Sequence, residues 1–118
     1  METLSEEALV EEEVEWLLRS MGMSGKHAGF AYLIAMIAEV VREPDKLQLI
    51  TRKLYPDMAV RFQVPSSRIE RNVRTIINSY WGKGDHTRLD TIAGRRVVNR
   101  PTNSEFIDLV ASYIRRHR

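Results

Sequence analysis

Four charged side chains with the chemistry needed to read DNA bases lie close together in this 118-residue chain: Arg68, Glu70, Arg71 and Arg74. An arginine can donate two hydrogen bonds to O6 and N7 of guanine, and a glutamate can accept one from N4 of cytosine. Each good arginine–guanine pair contributes about 1–3 kcal/mol of discrimination between bases. We therefore take these four residues as candidate base readers.

Polar residues next to this group could bind the DNA backbone instead. Short hydroxyl and amide side chains, a lysine and the free N–H groups of a first helical turn are all common ligands of phosphate. The residues of this kind are Ser66, Ser67, Thr75, Asn78 and Lys83.

An amphipathic helix over residues 67–81 is predicted to position both sets. At about 100° per residue, five apolar positions share one arc and should be buried; they are Ile69, Val73, Ile76, Ile77 and Tyr80. The opposite face centres on Ser67, Arg71, Arg74, Thr75 and Asn78, with Arg68 and Glu70 beside it.

Residues 55–81 have the layout of a helix-turn-helix, in which the second helix enters the major groove. A short helix is predicted over 56–62 and a turn over 63–66. Ala59 is small enough for the helices to cross closely, and Val64 is the apolar residue that fills the gap between them. Many such turns carry glycine where this chain has Gln63.

The charge of the chain is divided unevenly. Residues 1–45 contain three Lys or Arg against ten Asp or Glu, whereas residues 46–118 contain fifteen against six. A basic second part favours a surface that faces a polyanion such as nucleic acid. A globule whose mixed charges are simply solvated is the alternative.

The rest of the sequence is typical of an all-α, compact single domain with about six helices. Helical periodicity begins at Val10, and a very apolar helix is predicted over 25–42 with Ser24 as its cap. Further helices are predicted over 45–54, 88–93 and 103–116, the last with a capping box formed by Thr102 and Glu105. We divide the chain into an acidic leader, residues 1–9, and a helix-turn-helix domain, residues 10–118.

Several classes of function are disfavoured by composition. The chain has no cysteine, which excludes a disulfide scaffold, cysteine-ligated zinc and thiol catalysis. No apolar run reaches the roughly 18 residues of a membrane span, and the acidic start is unlike a signal peptide, so a cytoplasmic protein is expected. No constellation indicates an enzyme, a cofactor or a metal, and His86 fits a solvated loop better than a metal site.

Four stretches of the sequence resemble one family. They are LYPDMA at 54–59, SRIERNVR at 67–74, WGKG at 81–84 and RPTNSEFI at 100–107. The chain is similar, from near Val14 almost to its end, to the C-terminal effector domain of the master response regulator that starts sporulation in endospore-forming bacteria.

The resemblance implies a six-helix domain with one helix-turn-helix that binds short repeated boxes of double-stranded DNA and regulates transcription. It also implies pairing as a homodimer on tandem sites and contact with the sigma subunit of RNA polymerase. By position, the base-reading residues of the family fall on Arg68, Glu70, Arg71 and Arg74, and its preceding serine falls on Ser67.

The sequence departs from the family at three points. The family carries a receiver domain upstream, so we expect this chain to be either a fragment or a stand-alone paralogue. Thr75 stands where the family commonly has histidine. Residues 85–93 are polar where the family has an apolar, serine-rich stretch used in dimer and polymerase contacts, and Ala93 replaces an aromatic residue.

Two other interpretations of these features stay open. The arginines could be ordinary solvated charges, and Glu70 could serve only in a capping box with Ser67. The domain could also be a protein-interaction module or antagonist that pairs with a full-length regulator and does not read DNA, which the acidic first helix would suit.

Overall fold

Helix α2 (Gly29–Arg42) forms the centre of the fold, as its nearly continuous apolar sequence predicts. In the computed structural model, which describes residues 5–118, ten of its 14 residues are buried. Helices α1 (Glu6–Ser20), α4 (Ser66–Lys83) and α6 (Asn103–Arg116) all pack against it. The candidate recognition helix α4 therefore lies directly on the centre of the core.

Helix α1 begins earlier than its apolar residues alone indicate. Ser5 caps it by accepting a hydrogen bond from the backbone N–H of Ala8 at 3.1 Å. Residues 6–9 of the predicted acidic leader are therefore helical, and residues 1–4 lie outside the described part. The apolar face predicted from Val10, Val14, Leu17 and Leu18 is buried.

The predicted start of α2 is wrong. Ser24 does not cap it, because its hydroxyl instead accepts a hydrogen bond from the backbone N–H of Lys26 at 3.3 Å. The chain turns over residues 24–28, and α2 begins at Gly29 without a side-chain cap.

Two short helical segments, one wound more tightly and one more loosely than an α-helix, replace the single helix predicted over 45–54. The segment Pro44–Leu49 is a 3₁₀ helix and Ile50–Leu54 is a π-helix. Leu47, Ile50 and Leu54 all pack against the core, but only Leu54 is buried. It leads without a break into α3 (Tyr55–Phe62).

Each of the last two helices is capped at its start by the side chain of the residue that precedes it. Asp85 accepts a hydrogen bond from Thr87 N–H at 2.9 Å, so α5 (His86–Ala93) starts two residues before its predicted position. The predicted capping box of α6 is confirmed. Thr102 accepts from Glu105 N–H at 3.1 Å, and Glu105 accepts from Thr102 N–H at 2.9 Å.

The result is an all-α fold of six α-helices, with no β-strand among residues 5–118. Its buried side chains form one hydrophobic cluster, and within the described chain that core includes no charged or polar residue. None of the helices described is both long enough and apolar enough to cross a bilayer.

The contact of α2 with α4 leaves no room for a side chain at Gly29. A Cβ atom there would collide with the backbone carbonyl of Asn72, which cannot move without shifting α4. We expect Gly29→Ala to lower the free energy of unfolding by about 1–3 kcal/mol, as overpacking usually does. Urea denaturation followed by circular dichroism measures this change.

Gly82→Ala is the matched control, because Gly82 is also helical but has open space around it. Alanine there should leave stability unchanged or raise it by up to about 1 kcal/mol. Equal stability of the two variants would show that α2 and α4 leave room for a methyl group at position 29.

Candidate nucleic-acid interface

The turn between α3 and α4 has the geometry that a helix-turn-helix requires. Gln63 adopts the left-handed conformation, with φ 56° and ψ 47°, at the position where many such turns carry glycine. The backbone N–H of Val64 donates to the carbonyl oxygen of Ala59 at 3.1 Å, and Val64 packs on the core. The bond between Val64 and Ala59 is the longer of the two hydrogen bonds of a Schellman motif, and together with the left-handed Gln63 it ends α3 and redirects the chain without glycine.

Helix α4 begins at Ser66, one residue before the predicted start, and extends to Lys83, two residues past the predicted end. The five apolar residues predicted to face inward are all buried: Ile69, Val73, Ile76, Ile77 and Tyr80. The burial of this stripe fixes the rotation of the helix, so that its opposite face must point to solvent.

The four candidate base readers are all exposed on that outer side. Arg74 and Glu70 form an ion pair at 3.6 Å, and each side chain keeps about half of its surface exposed, at 54% and 48%. Arg68 and Arg71 form no ion pair with any residue among 5–118. Their guanidinium groups therefore keep their donors available to a ligand.

The alternative in which Glu70 serves only in a capping box with Ser67 is wrong. Pro65 is the residue before the helix, and no side chain caps α4. Because α4 starts at Ser66, Ser67 lies inside the first turn and cannot act as the cap. The side chain of Glu70 instead pairs with Arg74.

The candidate backbone ligands are placed along the same helix. Ser67, Asn78 and Lys83 are exposed, whereas Ser66 is half-buried. Thr75 is exposed, but its hydroxyl donates to the carbonyl oxygen of Arg71 at 2.9 Å. A hydrogen bond from Thr75 to phosphate would require this hydroxyl to rotate away.

Asn103, at the start of α6, ties three parts of the site together. Its side-chain amide donates to the hydroxyl of Tyr55 at 3.0 Å and to the carbonyl oxygen of Glu70 at 3.1 Å. Burial raises the pKa of the Tyr55 hydroxyl, which therefore remains a neutral hydrogen-bonding group. Sequence reasoning missed this role, because the capping box places Asn103 in the first turn of a helix but does not show what its amide reaches.

A cleft of about 300 Å³ lies beside the arginine-rich face of α4. Arg74 and Asn78 contribute from α4, Thr51 contributes from the π-helix, and Arg100 and Ser104 contribute from the end of the α5–α6 connection and the start of α6. Sequence reasoning did not select Thr51, Arg100 or Ser104. The one sequence feature that points to this cleft is the RPTNSEFI motif, which contains Arg100 and Ser104 but not Thr51.

A second set of contacts holds the C-terminal end of α4. The Tyr80 hydroxyl donates to the carbonyl oxygen of Asp85 at 2.6 Å, and Trp81 stacks on His86 with ring centroids 4.1 Å apart. Within residues 5–118 no cluster of three or more His, Cys, Asp or Glu side chains could hold a metal ion. His86 is thus a packing partner of Trp81 and not part of such a cluster.

An all-α domain in which a helix-turn-helix presents an arginine-rich face has the architecture of a DNA-binding effector domain. The chain matches the family model described as sporulation initiation factor Spo0A C terminal over residues 14–114. It belongs to this family, whose members are DNA-binding effector domains of sporulation response regulators and not a class of enzyme. The resemblance drawn from the four sequence motifs is confirmed.

The Asn103 amide should stabilise the position of α4 on α6. Asn103→Ala removes two hydrogen bonds, one of them partly buried, and should lower the free energy of unfolding by roughly 1–2 kcal/mol. Asn99→Ala is the control, because Asn99 is an exposed asparagine in the preceding connection. Thermal or urea denaturation that gives the same stability for both variants would contradict the anchoring role.

The Tyr80 hydroxyl should titrate well above the ordinary range of a tyrosine. Burial, together with the nearby Asp85 carboxylate, raises the pKa of Tyr80 to about 12. A raised pKa means that the neutral form stabilises the folded state below pH 10 and that this contribution disappears as the pH rises towards 12. Absorbance at 295 nm should show a late step that Tyr80→Phe removes; the same late step in the variant would refute the assignment.

Proposed function

We propose that this chain is a sequence-specific regulator of transcription that binds double-stranded DNA by placing α4 in the major groove. The single observation that carries the proposal is the pairing of a fully buried apolar stripe on α4 with an exposed face rich in arginine. This helix follows a left-handed turn of the kind that a helix-turn-helix needs. The function of the family supports the same conclusion.

The base-reading role falls on Arg68, Glu70, Arg71 and Arg74. Arg71 lies near the centre of the exposed face and has no carboxylate partner among residues 5–118, so its two donor edges suit a guanine. Arg74 is paired with Glu70, which can hold the guanidinium in one orientation before DNA arrives. Such preorganisation lowers the entropy cost of the contact.

The phosphate-binding role falls on Ser66, Ser67, Thr75, Asn78 and Lys83. Ser66 and Ser67 precede the base readers on α4, and Thr75, Asn78 and Lys83 follow them, so that the two groups would bind the backbone on either side of the bases that are read. Phosphate contacts fix the register of the protein on the duplex and supply most of its salt dependence.

The proposal places the domain of residues 10–118 in the cytoplasm. It also includes the pairing of two copies of the domain on tandem DNA sites and a contact with the sigma subunit of RNA polymerase. The segment that differs most from the family is folded as α5, capped by Asp85 and held to α4 by the Trp81–His86 stack. Its outer residues Thr87 and Thr91 are exposed. Any contact made through α5 would thus use a more polar surface than in the family.

A specific observation favours the second candidate function, binding to another protein. Trp16 is 70% exposed and Leu9 is 44% exposed on α1, where they border an apolar groove with Tyr113 of α6. Large exposed apolar side chains that form a patch often mark a protein interface. If the chain were only an antagonist, it would bind a full-length regulator but retard no duplex at low salt.

Arg71→Ala separates base reading from general attraction to DNA. On the best duplex selected from a random pool, we expect affinity to fall by roughly 10- to 100-fold, which corresponds to the loss of one good arginine–base pair. On a scrambled duplex of equal length the affinity should fall only a few-fold, because the variant loses there only the general attraction of one positive charge to the phosphates. Fluorescence anisotropy measures both affinities.

Lys83→Ala is the matched control for loss of charge. It should weaken binding to both duplexes alike and reduce the slope of log K against log salt by about 1. If Arg71→Ala lowers affinity for the selected and scrambled duplexes equally, Arg71 does not read bases. If the unmodified protein binds neither duplex, the whole proposal fails.

A further inference from the structure

The cleft next to α4 contains more donors than a structural role requires. It is bordered by two arginines, Arg74 and Arg100, and by the polar side chains of Thr51, Asn78 and Ser104. Its one carboxylate, Glu70, is already paired with Arg74 at 3.6 Å. The cleft therefore has an excess of hydrogen-bond donors and positive charge, the combination that binds an anion.

Arg100 is the side chain of the cleft with the most donors still available. It is exposed, and it forms no ion pair with residues 5–118, whereas Arg74 is partly neutralised by Glu70. A guanidinium presents its N–H groups in a planar fork that matches two oxygens of one phosphate. Thr51 and Ser104 can each add a hydroxyl donor.

The connection that carries Arg100 is anchored on both sides of it. The backbone N–H of Val97 donates to the Asp90 carboxylate at 2.8 Å, and Val97 is buried. Pro101, directly after Arg100, is buried as well. Arg100 is thus held at the mouth of the cleft by its backbone, which reduces the ordering cost of binding a ligand there.

The position of the cleft identifies the anion. On α4 the cleft is lined by Glu70, Arg74 and Asn78, which follow one another at intervals of one turn and all lie on one side of Arg71, opposite to Arg68. A helix in the major groove has a sugar–phosphate backbone along each of its edges. Any part of the DNA that enters the cleft while α4 reads bases therefore belongs to the backbone of one strand.

We propose that the cleft between α4 and residues 100–104 binds one backbone phosphate of the DNA, with Arg100 as its principal ligand and Ser104 and Thr51 as hydroxyl donors. This inference rests on the proposed function. It adds a contact from outside the helix-turn-helix, so that the strand is held between the recognition helix and the start of α6.

Arg100→Ala and Arg96→Ala form a matched pair for the first test. Both remove one exposed positive charge from the same connection, but Arg96 borders a different cleft, with Glu105 and Leu109. On the selected duplex, Arg100→Ala should weaken binding roughly tenfold and reduce the salt slope by about 1. Arg96→Ala should weaken it less than threefold.

Methylphosphonate substitution gives the second test, because it neutralises one phosphate of the duplex at a time. At one linkage the substitution should weaken the unmodified protein about as much as Arg100→Ala does, and it should not weaken Arg100→Ala further. This loss of additivity is the signature of a direct contact between the two groups.

The outcomes separate this inference from the function on which it rests. Equal effects of the two arginine variants would mean that Arg100 acts only through long-range charge, and the phosphate site would be refuted. Specific binding that Arg100→Ala leaves intact would also refute the site but leave the proposed function standing. Failure of the unmodified protein to bind any duplex would overturn both.

Discussion

The packing of α4 on α2 is the contact on which the rest of the structure depends. Gly29 brings the start of α2 against the backbone of α4 at Asn72, and Phe30 and Leu33 continue the buried face of α2 beyond this point. The contact fixes how far α4 stands from the core, and the buried stripe from Ile69 to Tyr80 fixes its rotation. Together they determine which side chains of α4 reach solvent. The arginine-rich face is therefore a product of the core, not of any local preference of the arginines.

Directional contacts hold α4 towards its two ends. Asn103 joins the backbone of α4 at Glu70 to α6 and to Tyr55 of α3, while Tyr80 and Trp81 join its end to Asp85 and His86. A helix held at its centre by apolar contacts and at both ends by directional bonds has little freedom to tilt. Such rigidity suits a surface that must match the fixed spacing of donors and acceptors on base edges.

Much of the fold and of the exposed face of α4 could be predicted from the sequence, because helical periodicity indicates directly which face of a helix is buried. The inward residues of α4, the central position of α2 and the capping box at Thr102 all follow from residue types within one or two helical turns. The start of α2 and the 3₁₀ and π segments could not be predicted, since they depend on how helices distant in sequence meet. The cleft was missed for the same reason: Arg74 and Arg100 are 26 residues apart, and only the packing of α6 brings them to one place.

The left-handed Gln63 bears on the balance between the folded and the unfolded chain. A residue with a Cβ loses about 1–2 kcal/mol in that conformation, which glycine would avoid. Glycine, however, gives the unfolded chain more conformational freedom, and removing that freedom on folding costs about 0.5–1 kcal/mol more than for other residues. The two effects act in opposite directions, and the strain is the larger, so that a residue with a Cβ at this position has a net cost of about 0.5–1 kcal/mol. The packing of Val64 and its hydrogen bond to Ala59 maintain the helix-turn-helix geometry against this cost.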